Sequence, residues 1–87
     1  MVELKDTVAL MTSAYYKERF KAEFYQLETR YMKLRAMCAK WDVGTLEFEP
    51  TCPRDLYDVQ LSSMESYLEC LVKRAEIEQV ELEISYK

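Results

Sequence analysis

An 87-residue chain with one glycine, two prolines, three cysteines, no histidine and a formal net charge of −4 has room for a single domain. One glycine cannot build a glycine-rich phosphate loop of the Rossmann or P-loop kind. Without histidine there is no Ser-His-Asp or Cys-His nucleophile system, no imidazole zinc ligand and no side chain that ordinarily titrates near neutrality. Abundant Leu, Glu, Lys, Met and Ala with few helix breakers predict an all-α fold in one domain, residues 1–87.

The chain begins Met1-Val2-Glu3-Leu4-Lys5-Asp6, which has neither the basic start nor the apolar core of a signal peptide. No apolar run reaches the ~20 residues of a membrane span. The expectation is a cytoplasmic protein that engages no membrane. Leu4, Val8 and Met11 share a face of a short amphipathic helix over 2–12. Thr12-Ser13 makes a poor helix interior and Ser13 a good cap, which separates this piece from the next; one helix continuous from residue 2 is the alternative.

Phe20, Phe24, Leu27, Tyr31, Leu34, Cys38 and Trp41 alternate in steps of four and three, the seam of a long helix over 13–41. Asp42-Val43-Gly44 is a helix stop that opens a linker over 42–52. Cys52-Pro53 then places a cap and a first-turn proline. Tyr57, Leu61, Met64, Leu68, Leu71 and Ala75 repeat the spacing on a second helix over 53–78. The pair predicts an antiparallel, coiled-coil-like two-helix hairpin about 40 Å long. Setting Trp41 opposite Tyr57 brings Glu23 to Arg74, Arg35 to Glu65 and Arg30 to Tyr67, beside the seam.

Two segments change period. Thr45 to Glu49 and Val80 to Tyr86 alternate apolar and polar residues, the pattern of half-buried strands. They fall at opposite ends of the hairpin, so a sheet between them needs a neighbouring copy. The preferred reading is extended coil for both, with Leu46 and Phe48 tucked over the hairpin tip and an extended tail over 79–87. Cys38, Cys52 and Cys70, odd in number and without a C-x-x-C, indicate neither a disulfide framework nor a zinc site, and Cys38 and Cys70 read as small core residues.

Charge is segregated: residues 13–41 carry seven basic and three acidic groups, residues 54–78 three basic and six acidic. Complementarity within or between subunits is one explanation. The other is a surface for an anionic aromatic ligand such as a nucleotide, with Lys17, Arg19, Lys21, Arg30, Lys33 and Arg35 interleaved with Tyr15, Tyr16, Tyr25 and Tyr31: Arg19, Lys21 and Arg30 to pair with phosphate, Tyr16 and Tyr25 to stack on a base or line the pocket, and Thr51 to add a hydrogen bond near the start of the second helix. Duplex nucleic acid fits an acidic chain poorly. Glu47 and Glu49 are an acidic pair in the linker, off a helix. No Glu-x-x-His or Asp-x-Asp arrangement accompanies them, so no catalytic residue, metal ligand or cofactor is expected. Tyr15, Tyr25, Met32, Met37, Tyr67, Cys70, Val72 and Ile77 widen the apolar stripe beyond what two helices cover. Either the N-terminal piece folds back over it or, as preferred here, hairpins associate as a homo-oligomeric helical bundle.

Three stretches carry a family likeness: Tyr16-Lys17-Glu18-Arg19-Phe20-Lys21-Ala22-Glu23, then Trp41-Asp42-Val43-Gly44-Thr45-Leu46 with Phe48 and Pro50-Thr51-Cys52-Pro53, and Met64, Tyr67-Leu68, Leu71 and Arg74 to Glu78. Over roughly 12–83 the chain resembles a family of small helical proteins of tailed phages and prophages of gut bacteria, related to an uncharacterised protein of a crAss-like phage. Gln79 departs from the pattern, where glycine would end the second helix. The resemblance implies a genomic setting, in the host cytoplasm, and no assigned functional residues. By analogy with the accessory proteins found in that setting, the expected function is a non-enzymatic anti-defence protein that sequesters a nucleotide-derived immune signal in a pocket between subunits. The alternatives are an inhibitor that docks on a host defence protein complex, such as a CRISPR effector, and a structural coiled-coil module.

Overall fold

The computed structural model describes residues 2–87. Two long helices dominate it, α2 (Tyr16–Asp42) and α3 (Arg54–Glu78), preceded by a 3-10 turn (Leu4–Thr7) that runs into a single α-turn, α1 (Val8–Met11). Among the described residues all regular structure is helical and no strand forms. The whole measures 43 × 24 × 18 Å.

The N-terminal piece is shorter and tighter than the expected helix over 2–12. Its turns are held by local bonds instead of a continuous helical ladder. The Glu3 N–H donates to Asp6 Oδ2 at 3.2 Å, the Thr7 hydroxyl to the Leu4 carbonyl at 2.7 Å, and the Thr12 hydroxyl to the Val8 carbonyl at 2.9 Å. Short hydroxyls that bond their own backbone compete with helix propagation. Ser13 organises the break, but α2 starts at Tyr16 with Tyr15 as its N-cap. The Ser13 hydroxyl donates to the Glu18 carboxylate and accepts the Tyr15 N–H at 3.1 Å.

Opposed contacts set the two long helices antiparallel. The rings of Trp41 and Tyr57 meet at 5.9 Å near the linker. The Tyr31 hydroxyl donates to Glu65 at 3.1 Å in the middle. At the far end the Arg74 guanidinium lies over the Phe20 ring at 4.8 Å. Phe20, Phe24, Tyr31 and Cys38 of α2 and Leu68, Leu71 and Ala75 of α3 are buried between them. Beside the seam Glu23 accepts the Tyr67 hydroxyl, Arg74 pairs with Glu78 at 3.5 Å, and Arg35 lies over the Tyr31 ring at 5.0 Å and donates to the Tyr86 carbonyl at 3.1 Å. Among the described residues no ion pair joins Glu23 to Arg74 or Arg35 to Glu65.

Both long helices end in the same cap. Thr45 N–H reaches back to the Lys40 carbonyl at 2.9 Å around Gly44 (φ +78°), and Val80 N–H to the Ala75 carbonyl at 2.9 Å around Gln79 (φ +58°). A 6→1 bond across a left-handed residue is the Schellman arrangement, and glycine is its least strained occupant. At the start of α3, Pro53 itself is the N-cap, one residue later than the Cys52 cap expected from sequence. Arg54 then pins α3 to the end of α2 with its Nε 2.9 Å from Asp42, and its Nη1 bridges to Asp58 one turn on within α3 at 2.7 Å.

The tail neither hangs free nor forms a strand. Residues 80–87 turn back at Gln79 and run as an extended strap along α2. Val80 and Tyr86 are buried and Leu82 is packed against the same core. Of the alternating apolar positions, Val80, Leu82 and Tyr86 lie on the helices rather than on a neighbouring strand, while Ile84 is exposed. The N-terminal piece covers another side of α2, with the Thr29 hydroxyl donating to the Val2 carbonyl at 2.5 Å and Gln26 Nε2 to Thr7 Oγ1 at 2.9 Å. Two expectations for single residues need correction. Cys70 is exposed on the outer face of α3, while Phe48, expected over the hairpin tip, is 58% exposed and only Leu46 is half-buried.

Candidate functional site

The six residues expected to bind a ligand lie along the whole length of the rod. Tyr16, the first residue of α2, is 51% exposed. Partial burial and the nearby Glu78 carboxylate raise its phenol above the ordinary value, with Arg74 pulling the other way. Arg19 is exposed, and its Nη1 closes the helix start by donating to the Ser13 carbonyl at 2.8 Å. Lys21 is half-buried, two residues further along. Tyr25 is in the core: it is 8% exposed, its ring is edge-on to Phe24 at 5.5 Å, and its hydroxyl accepts the Glu83 N–H at 3.0 Å. That ring is engaged by the strap and cannot stack on a base in this arrangement. Thr51 is exposed in the linker, beyond the other end of α2.

At ~1.5 Å rise per residue, Arg19 and Arg30 are about 16 Å apart along the helix. A single chain therefore does not gather Tyr16, Arg19, Lys21, Arg30 and Thr51 around one small molecule.

Arg30 does sit at a concave site. A groove of about 450 Å³ opens between the N-terminal turn, α2 and α3. Arg30 and Lys33, one turn apart on α2, form its cationic rim, and Gln60 of α3 contributes an amide. Leu34 and Met37 of α2 with Met64 of α3 make an apolar floor, and Leu4 supplies a wall. The spacing explains the convergence. Positions 30, 33, 34 and 37 fall on one face of α2, and 60 and 64 on one face of α3. Neither Arg30 nor Lys33 is in an ion pair among the described residues. Their charge is thus free for an incoming anion, and the two thioethers form a polarizable surface that adapts to a flat or irregular apolar body.

Hollows of about 410 and 340 Å³ near the linker are lined by Glu47, joined in the larger by Glu49. The carboxylates of the larger oppose an anionic ligand, and in the smaller Glu47 is set against Lys40. Sequence reading reached Arg30 and counted Lys33 in the basic surface of the same helix, but did not single out Met37, Gln60 and Leu4 as parts of a site. Met37 reads as surplus apolar surface and Leu4 as one face of a short amphipathic helix. What joins them is the fold-back of the N-terminal turn, which the sequence offers only as the alternative to association between hairpins.

Among the described residues no group of three or more Cys, Asp or Glu side chains is placed to hold a metal ion, and no helix is long and apolar enough to cross a membrane.

Comparison with known proteins gives a family: the model described as Sequestin matches residues 14–77, from just before α2 to the last turn of α3. No curated protein matches the chain, and no solved structure does.

Proposed function

The chain belongs to the Sequestin family, and from that premise we propose that it is a non-enzymatic binding protein that sequesters a small anionic, nucleotide-derived ligand. The observation that carries this is the groove at Arg30 and Lys33, where two unpaired cations border an apolar floor. A phosphate at the rim and a base or other flat apolar body against Met37 and Met64 would use both halves of it. The family name is consistent with holding a ligand rather than turning it over. The groove is shallow and open to solvent, so a second copy laid across it would complete a pocket between subunits. Such a copy is also what would bring the Tyr16, Arg19 and Lys21 end, or Thr51, to the same ligand. In the phage setting implied by the sequence resemblance, the sequestered molecule is an immune signal of the host, and removing it from solution is the anti-defence act.

Native mass spectrometry of the full chain with a panel of mononucleotides, cyclic nucleotides and ADP-ribose derivatives tests this. The expected result is a stoichiometric mass shift for members of the panel, lost on Arg30→Ala combined with Lys33→Ala. A panel with no retained ligand overturns the reading. Binding that survives the double substitution overturns the site. Capture of a host protein in place of any small molecule would transfer the function to the docking alternative.

A further inference from the structure

The strap is held mainly by side chains of the helical body acting on strap backbone. Tyr25 Oη accepts the Glu83 N–H at 3.0 Å, Glu28 Oε2 accepts the N–H groups of Ser85 and Tyr86 at 2.7 and 3.1 Å, and Arg35 Nη1 donates to the Tyr86 carbonyl at 3.1 Å. Side chains then add selectivity: Val80 is buried, and the Tyr86 ring sits edge-on to Tyr31 at 6.0 Å and 6.4 Å from Phe24. Backbone bonds that hold any extended segment, with pockets that choose among segments, are how surfaces recognise peptides.

The body is poorly suited to stand bare. Glu28 is 1% exposed with the strap in place, and without the strap its carboxylate would lose both backbone donors. None of these contacts requires that the strap come from the same α3. The connection is one residue, Gln79, held at φ +58°, ψ +46°, a left-handed conformation that residues with a Cβ avoid. Rotating Gln79 to a right-handed or extended conformation relieves that strain and swings Val80–Lys87 off its own body.

We infer that this face of α2 is an interaction surface whose partner is the C-terminal strap of a second copy of the chain, so that two copies exchange Val80–Lys87 in a closed two-fold pair. Exchange re-forms the strap's contacts with α2 between molecules and releases both Gln79 residues from the left-handed region, at the cost of the Val80 to Ala75 cap bond in each chain. The entropy of association opposes it, so the exchanged pair is favoured at high protein concentration. Its formation is slow, because the strap must detach first. The inference does not depend on the ligand reading and survives if the Arg30 groove binds nothing.

Gln79 gives the test. Full-length chain and the variants Gln79→Gly, Gln79→Asn and Gln79→Val are compared at matched high concentration by light scattering. Equal mixtures of unlabelled and 15N-labelled chain report subunit exchange by native mass spectrometry. Glycine and asparagine tolerate the left-handed conformation, so both variants should lower the dimer fraction, glycine by about five-fold or more. Valine, β-branched, should raise it. Should Gln79→Val fail to fold by circular dichroism, the Gly and Asn variants still decide the matter. Dimers must also trade labelled subunits only on the timescale of strap release. Monomer alone at every concentration overturns the proposal. So does a dimer fraction that is the same in the parent, Gly and Asn chains, which would mark an ordinary interface elsewhere on the molecule.

Discussion

Glu28 holds the backbone of Tyr86: a carboxylate oxygen of a 1% exposed side chain on α2 accepts the amide N–H of the penultimate residue at 3.1 Å, and that of Ser85 at 2.7 Å. A charged acceptor with two donors in a sheltered site is a strong anchor, and truncating it orphans the donors. Glu28→Ala should therefore cost about 2–4 kcal/mol. Glu28→Gln keeps an acceptor oxygen in place and should cost about 1 kcal/mol. Urea unfolding followed by circular dichroism measures both. Equal losses for the two would mean that cavity formation, and not the lost acceptor, sets the cost.

The two helix stops differ in one residue. Gly44 and Gln79 occupy the same left-handed cap position, and only one of them is glycine. Gln79→Gly should remove backbone strain on the order of 1 kcal/mol, partly offset by the greater freedom of glycine in the unfolded chain. For a domain of this size a gain of half that amount already raises Tm by a few degrees. Thermal unfolding at low protein concentration, where strap exchange does not contribute, reads this effect by itself.

Which parts of this molecule were legible in its sequence follows from the range of the forces involved. The seam from Phe20 to Trp41 and the stop at Gly44 are local signals, spacing and a backbone requirement, and both are visible residue by residue. Gln79 was legible as a departure from pattern, and the departure is a real left-handed cap. The strap was not legible. The alternation of Val80, Leu82 and Tyr86 reports that one side is buried, but not against what. Its anchor, Glu28, looks in sequence like any helix-surface carboxylate, because only the returning tail makes it a buried acceptor. Tyr25 was misread for the same reason. The groove behaves likewise: Arg30 and Lys33 are local, while Leu4 reaches them through the 27-residue span closed by the Thr29 and Val2 bond.

That bond links stability to the groove. Thr29→Val is close to isosteric and removes the hydroxyl that holds the Val2 carbonyl. The expected loss is about 1 kcal/mol. Because the N-terminal turn carries Leu4 into the groove wall, any ligand bound there should also weaken in the variant, with the rim charges untouched. Protection of the amide hydrogens of residues 6–12 from exchange should fall at the same time. Unchanged exchange there would show that the turn is held by its packing alone.

Alkaline pH should destabilise the protein through its raised tyrosines. Tyr67 is raised above its ordinary value of 10.0, first by its hydrogen bond to the Glu23 carboxylate and then by burial, and Tyr86 is raised by burial and by surrounding carboxylates. A phenol whose pKa is higher in the folded state keeps its proton when the unfolded chain has lost it. Its contribution to stability is whole below pH 10 and is lost as pH climbs through the raised folded value. Asp42 works in the opposite sense. Its hydrogen bond from Arg54 lowers its pKa below 3.8, so its contribution is present above that pH and fades as acid titrates the folded carboxylate. Ultraviolet titration of the tyrosines, run beside thermal melts, should show ionisation lagging in the folded protein. Tyr67→Phe should remove part of the alkaline loss while leaving the acid limb in place. Replacing Asp42 by Asn should do the reverse. If both variants leave both limbs unchanged, the hydrogen bonds at Glu23 and Arg54 are too well solvated to couple folding to protons.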